Sequence, residues 1–203
     1  MTLRINDRLV NGYYRVSSRK YFLNKFSKFY FSPHFFIICN KPKKIKGGTE
    51  EWKSIMIVAL WKTQVLAYEI LTKGTTVDTY VYLNFLERRL LPEVERKKFG
   101  RPIILHDNAT PHKTRIIREF LQSKRWEELE HPPYLPDMSP PDMHGIALIK
   151  GPNKGKQFLT ETELINDYDA RIRDINKNHA SKGINMLPDR WRAITLARGD
   201  YVV

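Results

Sequence analysis

An α/β domain, with a mixed sheet flanked by helices, is the fold class the sequence predicts, on three observations. Apolar runs of strand length, "KSIMIVALW" (53–61), "QVLAYEIL" (64–71) and "RPIILHD" (101–107), alternate with stretches of helical apolar spacing. The resulting order is strand, strand, helix, strand, helix, strand, helix, which suits a sheet layered with covering helices. The 203 residues, 41% hydrophobic and 28% charged, are enough for one domain with a sizeable core.

Residues 1–41 read as a basic, aromatic-rich N-terminal arm or a degraded first strand, and residues 42–203 as the α/β domain. Residues 1–47 hold 11 Lys/Arg against one acid, Asp7, and ten of the 24 aromatic residues. Cations interleaved with rings suit nucleic acid, through phosphate neutralisation and base stacking. An edge strand or irregular arm with a solvated basic face is the other reading. "KPKKIKGG" reads as a linker or a long hairpin loop. The runs 53–61 and 64–71 are close enough to form a hairpin, and "TKGTTVD" then breaks the pattern. Tyr82, Leu83, Leu86 and Leu90 have the spacing of an amphipathic helix over 79–91, ended by Pro92. After the third strand, Thr110 is placed as N-cap with Pro111 at the first helical position, starting a helix to about Lys124. Ile116, Ile117, Phe120 and Leu121 line one face of it, with Lys113, Arg115 and Arg118 elsewhere. "WEELEHPPYLPDMSPPD" gives a short strand and a Pro-rich loop. Thr160 and Glu163 are spaced as a capping box for a helix to about Asn178. Leu187, Trp191 and Ile194 read as the packed face of a C-terminal helix.

Several function classes drop out. "FYFSPHFFIICN" is short and broken by Ser, Pro and His, so no membrane span is expected, and no secretory signal is read. The single Cys39 excludes an intramolecular disulfide framework and favours a reducing compartment. The six histidines show no zinc-ligand spacing. No glycine-rich nucleotide loop follows a strand, so no small-molecule cofactor is expected.

The chemistry concentrates in "IILHDNATPHK" (103–113), an apolar run that ends on His106, Asp107 and Asn108. A carboxylate at the lip of a buried strand is costly unless something cationic holds it: an Arg or Lys, a set of backbone N–H groups, or a metal ion. A second acid, Asp142, follows "PYLPDMSPP", with the 34 residues 108–141 between the two. One helix, one strand and a loop fit that interval, so both carboxylates can reach one edge of the sheet. Brought together they repel, unless divalent cations lie between them. Mg²⁺ suits such a place, and paired ions about 4 Å apart can clamp a phosphodiester. The plainer alternative has Asp107 capping a turn and Asp142 capping a helix; spacing alone leaves both open. Asn108 either orients a metal-bound water or touches phosphate, or serves as a turn residue. His112 and Lys113 either contact phosphate at the start of the next helix or form an exposed first turn. His106 reads as a residue packed or hydrogen-bonded at a strand end.

"HDNATPHK", "LEHPPYLPDMSPPD" and "GINMLPDRWRAITLARGDY", in that order, resemble the motifs of mariner-type DNA transposases. The resemblance extends over roughly residues 42–203, taking in "KSIMIVALW", "YEILTKGTTVD" and "YLNFLERRLL". It implies a ribonuclease H-like fold, with Asp107 and Asp142 as the second and third catalytic, metal-ligating acids. It also implies a two-metal site for Mg²⁺ or Mn²⁺, DNA as partner, a homodimer and a nuclear location. The implied activity is metal-dependent DNA cleavage and strand transfer. The alternative is a catalytically inactive transposase-derived DNA-binding or interaction protein.

Three departures qualify the resemblance. The family's first-strand aspartate falls near Ser18 on counting back from "KPKKIK", where Ser17, Ser18, Arg19 and Lys20 stand. Nothing before residue 42 reads as the family's paired helix-turn-helix modules. Gly145, Gly151 and Pro152 follow Asp142, so the helix there is expected to be short.

Overall fold

The computed structural model describes residues 35–47, 50–71, 74–106, 109–129, 146–151, 158–180 and 193. Five strands form one mixed sheet: β1 (Phe35–Gly47), β2 (Glu50–Trp61), β3 (Gln64–Leu71), β4 (Ile103–His106) and β5 (Glu127–Leu129). In space they run β3-β2-β1-β4-β5. The pairs β1/β2 and β2/β3 are antiparallel, whereas β1/β4 and β4/β5 are parallel.

The continuous apolar run of β2 is explained by burial on both faces. Met56, Ile57, Val58, Ala59 and Leu60 are each at most 2% exposed. Ile57 and Ala59 join a core cluster with Tyr82, Phe85, Leu86, Ile104, Ile117 and Phe120, while the alternating Met56, Val58 and Leu60 lie outside it. The hairpin from β2 to β3 turns through Lys62-Thr63, with Lys62 in the left-handed region at φ 50°.

The first strand is where sequence and structure part. "KPKKIKG" is the second half of β1 rather than a linker or a hairpin loop, and the strand begins inside the segment 1–41 that reads as an arm or a degraded first strand. Its state is set by register with β2, from Phe36↔Trp61 to Gly47↔Glu50, a non-local pairing that overrides a loop-like composition.

The helical segment after β3 also runs further than its sequence signals. α1 (Thr79–Phe85) is capped by Asp78, whose Oδ1 accepts from the Val81 N–H at 2.8 Å. It passes through a π-helical turn, Leu86–Leu90, into α2 (Leu91–Arg96). Pro92 therefore does not end the helix. It has no N–H to give, and the preceding wide turn, closed by the Leu91 N–H on the Leu86 carbonyl, rearranges the ladder where that donor is missing. Tyr82, Phe85, Leu86 and Leu90 are fully buried.

Beyond β4 a 3₁₀ turn, Thr110–Lys113, precedes α3 (Arg115–Ser123), whose N-cap residue is Thr114 rather than Thr110. Ile117, Phe120 and Leu121 are buried, and Arg115 and Arg118 exposed, as the apolar spacing requires. α4 (Ile146–Lys150) is five residues long and stops at Gly151. α5 (Glu161–Asn178) starts at the expected cap: Thr160 Oγ1 accepts from the Glu163 N–H at 3.1 Å. Glu163 closes the box one residue earlier than the standard pattern, accepting from the Leu159 N–H at 3.0 Å.

α5 covers the outer strand β3. The Asn176 side chain accepts from the Val65 N–H at 2.7 Å and donates to the Val65 carbonyl at 3.0 Å, imitating a neighbouring strand. The Tyr68 hydroxyl donates to Asp169 at 2.8 Å. Burial and that bond push the Tyr68 phenol up to about 12. Among the described residues, no helix is long and apolar enough to cross a membrane.

Candidate active site

β4 is buried along its whole length and delivers the chain to Asp107. His106, its last residue, is 3% exposed. A buried imidazole needs partners for two nitrogens; two elements supply them and a third packs on the ring face. From α1, the Tyr82 hydroxyl lies 2.9 Å from His106 Nδ1. From β5, Glu128 Oε1 lies 2.9 Å from His106 Nε2. In the neutral tautomer that fits both, Nε2–H donates to the carboxylate and Nδ1 accepts from the phenol. From the 3₁₀ turn, His112 stacks on His106 with ring centroids 5.1 Å apart and planes 20° apart, and lies 4.0 Å from the Tyr82 ring. The result is a cluster of two imidazoles, a phenol and a carboxylate around the last described residue before Asp107.

The electrostatics follow from this arrangement. The hydrogen bond from His106 holds the Glu128 carboxyl below its ordinary value against the opposing effect of burial. The positive charges of Arg118 and Lys113, and that of His106 when its ring is protonated, act in the same lowering direction. Lys113 and Arg118 are exposed, so a cationic flank borders the cluster.

Asp107, Asn108 and Asp142 lie outside the described residues. Of the other predicted contacts, Lys113 is exposed as a phosphate-binding group must be. His112 is different: at 0% exposure it cannot reach a phosphate, and packing between Tyr82 and His106 replaces the expected role. His106 is hydrogen-bonded at the strand end, as the sequence suggested. Tyr82, Arg118 and Glu128 were missed. The available signal was the demand of His106 itself, since a histidine ending an apolar strand must find two polar partners.

The strand beside β4 matters as much. β1 runs parallel to it with Phe35↔Ile103 and Ile38↔His106 in register, so Cys39 and Asn40 are the next residues of β1. "FFIICNKPKKIKG" contains no Asp or Glu. The first-strand position sought near Ser18 lies outside the described residues. Among the described residues, no group of three or more His, Cys, Asp or Glu is placed to hold a metal ion. A groove of about 770 Å³ runs along the β3 edge between α2 and α5, lined by Tyr68, Arg88, Arg96, Asp169 and Asn176 among others. It shares no residue with the His106 cluster.

No family model matches the chain. The mariner Mos1 transposase of Drosophila mauritiana is 31% identical over 157 residues, 74% of this chain and 45% of that protein. The histone-lysine N-methyltransferase SETMAR of Homo sapiens is 29% identical over 157 residues, 73% of this chain and 22% of that protein. The chain thus spans less than half the length of either relative. Its fold superposes on the Mos1 transposase catalytic domain solved with raltegravir and Mg, with a TM-score of 0.83 and 26% identity over 99% of this chain and 100% of that one. The same catalytic domain in another crystal structure gives 0.83 and 25%, with both chains fully covered. The sheet and its helices are therefore of the ribonuclease H-like class. With the β4 motif, the sheet order and these similarities in agreement, the chain is homologous to the mariner Mos1 transposase and matches its catalytic domain in fold.

Proposed function

We propose that this chain binds DNA and cleaves it by metal-dependent phosphoryl transfer, as the catalytic core of a mariner-type transposase. The observation that carries the reading is the end of β4: a buried strand is locked at His106, the residue that precedes Asp107-Asn108 in sequence, and the exposed cations Lys113 and Arg118 face the same cluster through Glu128. Solved Mos1 structures with Mg, with Mn, and as a paired end complex with Mg support it. A homodimer acting on DNA in the nucleus is part of the same reading.

Asp107 and Asp142 are the residues that would hold a divalent ion, since carboxylate oxygens are the hard donors Mg²⁺ and Mn²⁺ take. When bound, such an ion supplies charge stabilisation on phosphate oxygens and a more acidic water. His106 is committed to Tyr82 and Glu128 rather than to an ion. Lys113 and Arg118 draw in the phosphate backbone, and Asn108 offers an amide to it.

Two carboxylates fit one such ion; β1, with no acid, adds no third ligand. That observation favours a second reading, a transposase-derived protein that binds DNA without turning it over. Nicking of a labelled duplex in Mg²⁺ or Mn²⁺ decides between them, with Asp107→Ala and Asp142→Ala as controls. Nicking lost in both variants is expected for the enzyme. Retained DNA binding without nicking in the wild type marks the second reading, and neither binding nor nicking defeats both.

A further inference from the structure

We propose that the groove along β3 docks an extended peptide, which pairs with the edge strand and carries acidic residues on one of its faces. β3 is the last strand in the order β3-β2-β1-β4-β5, and an edge strand leaves alternate N–H and C=O groups without a ladder partner. Asn176 covers those of Val65 with bonds of 2.7 and 3.0 Å, so this edge accepts a paired amide in strand fashion. The groove continues past Val65 along Leu66–Ile70. Successive side chains of a strand point to opposite faces. Glu69 reaches Arg89 in the π-turn at 3.7 Å, whereas Tyr68 reaches Asp169 in α5 at 2.8 Å. The two helical walls therefore flank a floor of strand backbone. A volume of about 770 Å³ is far more than one ion needs and falls in the range of about 300–1,000 Å³ usual for ligand clefts.

Charge selects the guest. Glu93 is engaged by Arg96 at 2.6 Å, Glu69 by Arg89, and Asp169 by the Tyr68 hydroxyl. Among the described residues no carboxylate pairs with Arg88 or Lys97, and both line the groove on the Glu69 face. Glu69 Oε2 is buried with no hydrogen-bond partner among the described residues, so that face also asks for one donor. A peptide repeats donors and acceptors at strand spacing, and its alternate side chains meet opposite walls. Those facing Arg88 and Lys97 are acidic, with one hydroxyl among them for Glu69. Those facing α5 meet Tyr68 and Ile165 and are apolar.

The test is fluorescence anisotropy of a labelled peptide titrated with the full chain. In the peptide Val alternates with Glu, and a Ser takes the central Glu position. Binding is expected, and it should weaken about tenfold when the same residues stand in blocks rather than in alternation. Pro in place of a central Val removes a backbone N–H and should cost a similar factor. Arg88 is exposed, so Arg88→Glu reverses one charge of the wall without touching the core. It should weaken the acidic peptide about tenfold and favour a counterpart with Lys in place of Glu. Thermal unfolding followed in parallel shows that the variant is folded; should it not fold, the blocked and proline peptides decide on the wild type alone. Binding indifferent to both residue order and proline would be charge attraction only, and overturns strand pairing. No binding of the alternating peptide overturns the proposal. In that event, oligothymidine binding lost in Arg88→Glu assigns the groove to nucleic acid, and a wild-type dimer dissociated by Arg88→Glu in sedimentation assigns it to a second copy of the chain.

Discussion

The imidazole of His106 joins a phenol to a carboxylate, and the carboxylate is the partner whose charge depends on acidity in a readable way. Glu128 is depressed mainly by its hydrogen bond from His106; Arg118, Lys113 and, when protonated, His106 are the cations that face it. A carboxyl lowered by folding stabilises the folded state above its unfolded value, and loses that contribution as pH falls through the lower, folded one. Glu128→Gln should therefore be less stable than wild type at pH 6. The gap should narrow as pH drops below 4.5, the ordinary value for such a group. Urea midpoints across that range check it. Lys113 and Arg118 belong to a separate prediction, because both are exposed and neither buttresses the core. Alanine at either should weaken DNA binding and flatten the dependence of log affinity on log salt by about one unit per cation, measured by anisotropy. Of this cluster, His106 and His112 were readable as polar chemistry from the chain, and Tyr82 and Glu128 were not. Tyr82 counted as one member of an apolar helical face, and Glu128 as one letter of "EEL"; only the fold brings them to the same ring.

Elements whose signals are local matched their sequence, and those set by distant partners did not. β3 begins and ends where its apolar run does, and α5 begins at its capping box. β1 and the π-turn differ. The first takes its strand state from β2, and the second carries the helix past a proline that normally stops one. The start of α3 shifted for a related reason, because Pro111 sits inside a 3₁₀ turn rather than opening the α-helix. α5 yields the prediction at this scale. Asn176 satisfies both polar groups of Val65, so Asn176→Ala leaves a half-buried donor and acceptor without those bonds. A loss of about 1–3 kcal/mol is expected by chemical denaturation. Arg115→Ala should change stability by less than about 0.5 kcal/mol, since its pairing with Glu119 at 3.6 Å is exposed.

Across the whole molecule, positive charge is unevenly placed along the sequence. The chain carries a net charge of +13, and residues 1–34 contribute seven Lys/Arg against Asp7 alone. Removing residues 1–34 leaves β1 in place and should lower DNA affinity at low salt while leaving a cooperative unfolding transition. Gel shift and calorimetry on the shortened chain test both halves of that statement. The mixed sheet was legible from the order of apolar runs, and the ribonuclease H-like class from the three motifs. The placement of Asp107, Asn108 and Asp142 falls outside the described residues, so the sequence spacing remains their account. The outer strand carries a last consequence. An amide from the final described helix does for Val65 what a sixth strand would do, and a turn about one side-chain bond is enough to withdraw it. That rotation is the smallest event that would change this boundary of the sheet from a terminus into a template for another chain.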